Sequence, residues 1–155
     1  MKKAGSDSLS VYHRRLPHWR KEGATYFVTW RKDPFQADLD AKERDLVVRS
    51  LRHFDDQRYE LVAFVVMNDH VHTLVTPREA NSLAAILHGW KSYTAYQLRR
   101  EHQRQGKIWQ DEYYDRLIRD EHELLQKVGY ILHNPLRRWP DWENYPWVGL
   151  RSFLK

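Results

Sequence analysis

"RYELVAFVVMNDHVHTLVTP" (Arg58 to Pro77) decides the fold. Its first ten residues, Arg58 to Met67, carry a near-continuous apolar run and predict a central strand. "HVHTLVT" (His70 to Thr76) predicts a second strand, and Asn68-Asp69 between them is a turn pair, so the two form a hairpin. Pro77 ends it. Residues two apart on a strand point to the same side, so His70 and His72 share a face. They are either two ligands for one metal ion or two solvated histidines at a strand edge. The pair alone does not decide between these.

The flanking sequence predicts the rest of the domain. "ATYFVTWR" (Ala24 to Arg31) is rich in aromatic and β-branched residues and reads as a strand. "DLDAKERDLVVRSLRHF" (Asp38 to Phe54) reads as a helix capped by Asp40, with Leu46, Val47, Leu51 and Phe54 at helical spacing. Asn81-Ser82 caps a long helix running to about Gln103, its stripe formed by Leu83, Ile86, Leu87, Trp90, Thr94 and Leu98. After Gly106, "IWQDEYYDRLI" (Ile108 to Ile118) reads as a strand. Asp120 caps a last helix that Pro135 is expected to stop, and the tail "LRRWPDWENYPWVGLRSFLK" is expected to pack irregularly. The order β-α-β-β-α-β-α indicates an α+β domain with a mostly antiparallel sheet and helices packed on it.

With 155 residues and no internal repeat, the chain suits one domain. Residues 1–10 are expected to be disordered, and 11–155 to form the domain with a basic N-terminal arm and a Trp-rich C-terminal tail. No cysteine is present, which excludes disulfides, thiolate zinc sites and thiol catalysis. No apolar run approaches the length needed to cross a bilayer, and no apolar segment follows the basic N-terminus, so a cytoplasmic protein is expected. The net charge is +5, and its distribution is uneven. Residues 1–32 hold eight Lys/Arg and two acids; the rest holds 18 basic and 19 acidic groups. An arm with Arg14, Arg15, Arg20 and Lys21 interleaved with His18 and Trp19 suits a polyanion, because cations displace counterions from phosphates and rings stack on bases.

The last helix adds a second group of polar candidates. On a wheel with Leu124 at 0°, the apolar residues Leu124, Leu125, Val128, Ile131 and Leu132 centre near about 40°. Tyr130 and Asn134 fall near about 240° and 280°, away from that stripe and one turn apart, with Lys127 on the same side. Tyrosine can serve as a nucleophile when it is positioned. The Asn134 carbonyl oxygen could be a third metal ligand beside the histidines, and a site completed by an amide oxygen, a phosphate and water leans towards harder ions.

These residues resemble a family. "MNDHVHTLV" resembles the His-hydrophobic-His (HUH) motif of single-strand nucleases and transposases. "WQDEYYDRLIRDEHELLQKVGYILHNPLR" resembles the C-terminal half of the single-tyrosine transposase domain, especially REP-associated tyrosine transposases, and "YHRRLPHWRKEGATYFVTWR" resembles their opening. The resemblance covers roughly residues 11–153 and implies a ferredoxin-like, RRM-like HUH nuclease fold. It implies His70, His72 and Asn134 as ligands of a divalent metal (Mg or Mn) and Tyr130 as the nucleophile. Tyr113 and Tyr114 compete for that role but break the spacing to Asn134-Pro135.

The implied activity is cleavage and rejoining of single-stranded DNA next to a hairpin or palindromic element, through a 5′-phosphotyrosine intermediate. Arg14, Arg15, His18, Trp19, Arg20, Lys21, Lys91, Arg99 and Arg100 are the candidate DNA contacts. A bacterial, nucleoid-associated setting is expected, as a homodimer or a monomer. The alternatives are a non-catalytic DNA-binding protein of the same fold, a domesticated transposase or repressor, and a metal-dependent hydrolase that uses water.

Overall fold

The protein's structure, a computed structural model, describes residues 23–151. The stretch 1–10 and the arm residues Arg14, Arg15, His18, Trp19, Arg20 and Lys21 lie outside the described residues. Eight elements follow in order: β1 (Tyr26–Arg31), α1 (Ala41–His53), β2 (Tyr59–Val66), β3 (His70–Pro77), α2 (Leu83–His102), β4 (Tyr114–Leu117), α3 (Glu121–Arg138) and β5 (Val148–Leu150). The strands form one antiparallel sheet in the order β4-β1-β3-β2-β5. This is the expected α+β architecture with one strand added at its end. No helix among the described residues is long and apolar enough to cross a membrane.

The β2–β3 hairpin is the middle of the sheet, and nearly all of its residues are buried. Met67 N–H donates to the His70 carbonyl at 2.8 Å and closes the turn. Pairing register gives the two faces. Thr29 opposes His72 and Phe27 opposes Leu74 on one face; Trp30 opposes Val71 and Val28 opposes Thr73 on the other. The second face carries α1 and α2. Trp90 of α2 stacks on Trp30 with ring centroids 5.7 Å apart, and its indole N–H donates to the Tyr59 hydroxyl at 3.0 Å. That hydroxyl donates in turn to the Leu51 carbonyl of α1 at 2.5 Å, so the buried polar groups here are paired in series.

The helix starts follow their caps. Asp40 accepts from Glu43 N–H while Glu43 accepts from Asp40 N–H, a reciprocal capping box. Ser82 and Asp120 cap α2 and α3. Arg104 reaches back from beyond α2 to the Glu43 carboxylate and fastens the two helices.

Three expectations need correction. The strand anticipated over 108–118 is confined to 114–117, because Ile108 and Trp109 turn into the core instead. Trp109 donates its indole N–H to Thr94 Oγ1 at 2.8 Å, a bond that a straight edge strand could not offer. Pro135 does not stop α3. It is buried on the helix's packing stripe, and Trp139 N–H donates to the Pro135 carbonyl at 2.8 Å, so helical bonding resumes past it. The tail packs irregularly only as far as Trp147, where Trp139, Trp142, Tyr145 and Trp147 form one ring cluster with the Arg44 guanidinium 4.1 Å from the Trp147 ring, and a short strand follows. Tyr145 OH donates to the Val66 carbonyl at 2.6 Å, and β5 then pairs with β2.

Candidate active site

The site lies on the sheet face opposite α1 and α2. The alternation of β3 puts His70 and His72 there, with ring centroids 4.7 Å apart. Both rings are buried, and each has one nitrogen committed. His70 Nδ1 lies 2.7 Å from Asp69 Oδ1, and a carboxylate can only accept, so Nδ1 carries the proton and Nε2 keeps its lone pair. His72 Nδ1 lies 2.7 Å from Thr29 Oγ1, its cross-strand neighbour. With Nδ1 protonated toward that hydroxyl, His72 Nε2 is also left as an acceptor. Partners of this kind orient histidines that bind metals.

Burial pushes both imidazoles toward the neutral form. His70 is lowered by burial, against the pull of Asp69. His72 is pushed down to about 3, by burial first and then by His70, Arg31, Lys127 and Arg137. Burial alone would raise the Asp69 carboxyl, but the His70 hydrogen bond and Arg138 outweigh it and hold it below its ordinary value. Neutral imidazole beside ionised Asp69 is the protonation state a metal requires.

α3 covers this face. Its buried residues are Leu124, Val128, Ile131, Asn134 and Pro135, while Leu125 and Leu132 are only partly buried. The contact stripe is therefore rotated from the one the apolar pattern suggested. Asn134 is not turned away from the core: it is 6% exposed and sits on the stripe's edge. Tyr130 lies on the flank, 38% exposed, and its ring meets His72 at 5.2 Å and Phe27 at 6.0 Å, edge to face in both cases. Tyr114 shares the same sheet face, but its ring meets Phe27 at 6.5 Å. Tyr113 lies near Lys91.

Two buried polar atoms in this site have no hydrogen-bond partner, His72 Nε2 and Asn134 Oδ1. Unpaired buried polar atoms cost stability, so each needs an explanation. An imidazole nitrogen and an amide oxygen with free lone pairs are a fitting donor set for a divalent cation. Another acidic group, Asp40, Glu43 and His102, brings ligand atoms close together. Its carboxylates are already used by the α1 cap and by Arg104.

Cations surround the tyrosine. Lys127 Nζ lies 4.7 Å from the Phe27 ring, and the Arg137 guanidinium lies 5.4 Å from the Tyr130 ring. The other predicted contacts are elsewhere. Lys91, Arg99 and Arg100 stand on α2, which packs behind the sheet. Lys91 donates to the carbonyls of Gln110 and Asp111, Arg99 to that of Gly106, and Arg100 to the Tyr96 hydroxyl. Sequence reasoning missed Thr29, Asp69, Arg137 and Arg138. Asp69 carried a signal, since a carboxylate directly preceding the first histidine can orient it, but Asn68-Asp69 was read only as a turn.

Comparison with known proteins bears on this arrangement. Residues 24–134 match the family model described as "Transposase IS200 like". A Haemophilus influenzae protein, named there as a candidate REP-associated tyrosine transposase, is 25% identical over 130 residues, spanning 75% of this chain and 72% of that protein. The solved structure of a REP-associated tyrosine transposase bound to a REP hairpin superposes with a TM-score of 0.66 at 20% identity, covering 82% of this chain and 76% of that one, and is a likeness of fold. A crystal structure of a candidate transposase from Deinococcus radiodurans gives a TM-score of 0.54 at 25% identity, covering 70% of this chain and 88% of that one.

Proposed function

The chain belongs to the IS200-like transposase family, and we propose that it cleaves and rejoins single-stranded DNA beside a hairpin, holding the cut end on Tyr130 as a 5′-phosphotyrosine. The observation that carries this is the meeting of Tyr130, from α3, with the paired histidines of a distant strand, Asn134 following one turn further along the same helix. His70, His72 and Asn134 would hold a divalent cation, Mg or Mn. Bound there, it would supply Lewis-acid polarisation of the scissile phosphate.

The chain's own residues do the rest. Asp69 and Thr29 keep the histidines in the ligating tautomer. The Tyr130 oxygen attacks phosphorus; the new O–P bond forms as the bond to the 3′ oxygen breaks, and that oxygen leaves as a hydroxyl. The phosphotyrosine ester keeps the energy of the broken bond, so a 3′-hydroxyl can reverse the step. Lys127 and Arg137 flank Tyr130 and offset the phosphodiester's charge. Arg14, Arg15, His18, Trp19, Arg20 and Lys21 serve as backbone and stacking contacts along the strand. Arg99 and Arg100 belong to DNA that runs outside the catalytic face. Lys91, on the same helix, joins them.

The test is a denaturing gel. Labelled single-stranded DNA with a hairpin, incubated with the protein and Mn or Mg, should give a covalent adduct that Tyr130→Phe abolishes and Tyr114→Phe retains. Binding without an adduct would make the protein a DNA-binding module. Turnover without an adduct would make it a hydrolase using water.

A further inference from the structure

The Asn68-Asp69 turn joins two parts of the site that the sequence separates widely. Asp69 Oδ1 takes the His70 Nδ1 proton at 2.7 Å and lies 3.3 Å from an Arg138 guanidinium nitrogen. The same nitrogen donates to Asn68 Oδ1 at 2.6 Å. On its other side the turn is anchored to the segment before α1. Leu39 N–H donates to the Asn68 carbonyl at 2.7 Å, and Asn68 Nδ2 donates to Asp38 Oδ2 at 2.8 Å. The turn thus stands on the body of the domain and reaches α3 through Arg138.

Arg138 is the last residue of α3, one turn beyond Asn134. This end of the helix has lost a rung of its own bonding, because Pro135 has no N–H to give the Ile131 carbonyl. A side-chain grip matters more where the backbone ladder is interrupted.

We propose that Arg138 is a positioning residue: by holding Asn68 and Asp69 together, it locks the tyrosine helix onto the turn that aims His70, so that seating Tyr130 and Asn134 and orienting the first histidine become one event. The proposal rests on the reading of His70 and His72 as metal ligands. It does not make Arg138 a pillar of the fold. The guanidinium and the carboxylate are both partly exposed, and exposed ion pairs contribute little to stability.

The experiment is a Mn²⁺ titration of the full-length chain, with free Mn²⁺ counted by electron paramagnetic resonance. Arg138→Ala, which removes no ligand, should weaken Mn²⁺ binding roughly 3- to 10-fold, below the range for a group bonded directly to a metal-binding histidine because Arg138 is one step further out. Asn68→Ala should weaken it less, and the double variant should fall short of the sum, since both remove one contact. If Arg138→Ala does not fold, Arg138→Met is decisive: it keeps an unbranched side chain to pack but has neither charge nor donor for the two acceptors, and should lose the same roughly 3- to 10-fold. Wild-type affinity in the folded Arg138 variant, while His72→Ala loses binding, overturns this inference alone. A wild-type chain that binds no Mn²⁺, or a His72→Ala chain that binds as well as wild type, overturns the metal reading and this proposal with it.

Discussion

Replacing Asn134 by alanine should stabilise the metal-free protein and remove most of the benefit of metal. Asn134 Oδ1 is buried without a partner, a position that costs about 1–3 kcal/mol. Alanine removes that oxygen and is favoured over Asn in a helix by roughly 0.7 kcal/mol. Against this, the missing amide leaves a small void worth roughly 1 kcal/mol. The balance is a gain of roughly 1–3 kcal/mol, or a rise in Tm of about 2–12 °C for a chain of this size. Calorimetric scans in chelator would measure it. With Mn²⁺ at a hundred times its Kd, wild type gains about 2.7 kcal/mol while the variant, lacking a ligand, gains less. The variant's lead over wild type should therefore narrow or reverse between chelator and metal. A variant that melts lower than wild type in chelator would show that the oxygen supports the fold, and the argument from unpaired atoms would collapse.

Other expectations concern the frame that presents the site. Tyr59→Phe should cost about 2–4 kcal/mol in urea unfolding, because the lost hydroxyl leaves the Trp90 N–H and the Leu51 carbonyl unpaired in the core; a cost under half a kcal/mol would refute that. Burial would raise the Glu43 carboxyl, but Arg104 and the Asp40 backbone outweigh it and hold it low. Its contribution is thus present above the ordinary value of 4.5 and is lost as pH falls through the lowered one. The Tm gap between wild type and Glu43→Gln should be widest near neutrality and close in acid, and a constant gap would contradict the sign. Gly149→Val should destabilise by about 1–3 kcal/mol, since a Cβ there would overlap the buried Phe64 ring and crowd Arg52; an unchanged Tm would show that Phe64 moves aside freely.

The hairpin and helices were legible because their signals are local. Apolar runs, Asp40, Ser82 and Asp120 act within a few residues of where they stand. Contacts set by tertiary register were not. Thr29 meets His72 only because β1 pairs with β3 in one particular register. Arg138 matters only because α3 continues past Pro135, where a local rule stops it. β5 is three residues with a glycine at its centre, too short for any periodicity, and is led to β2 by the bonds that Tyr145 and Trp147 make to Val66. The histidine pair was the reverse case: His70 and His72 were visible, but nothing nearby distinguished them from solvated histidines.

The rotation of α3 explains why its chemistry and its packing are hard to separate. The apolar pattern alone would centre the helix between Leu124 and Leu132, leaving Asn134 in solvent. The observed stripe runs through Leu124, Val128, Ile131 and Pro135, which draws Asn134 under the helix and leaves Leu125 and Leu132 partly exposed. The driving force is that of apolar burial, and the proline, an unlikely residue inside a helix, is part of it. Turning the helix this far puts Tyr130 at its flank, against His72 and beside the solvent from which a DNA strand must enter. A few core side chains thus set the angle of the proposed nucleophile. Substitutions at Val128 or Ile131 should then act on the proposed chemistry as well as on stability, even though neither side chain offers a ligand or a nucleophile.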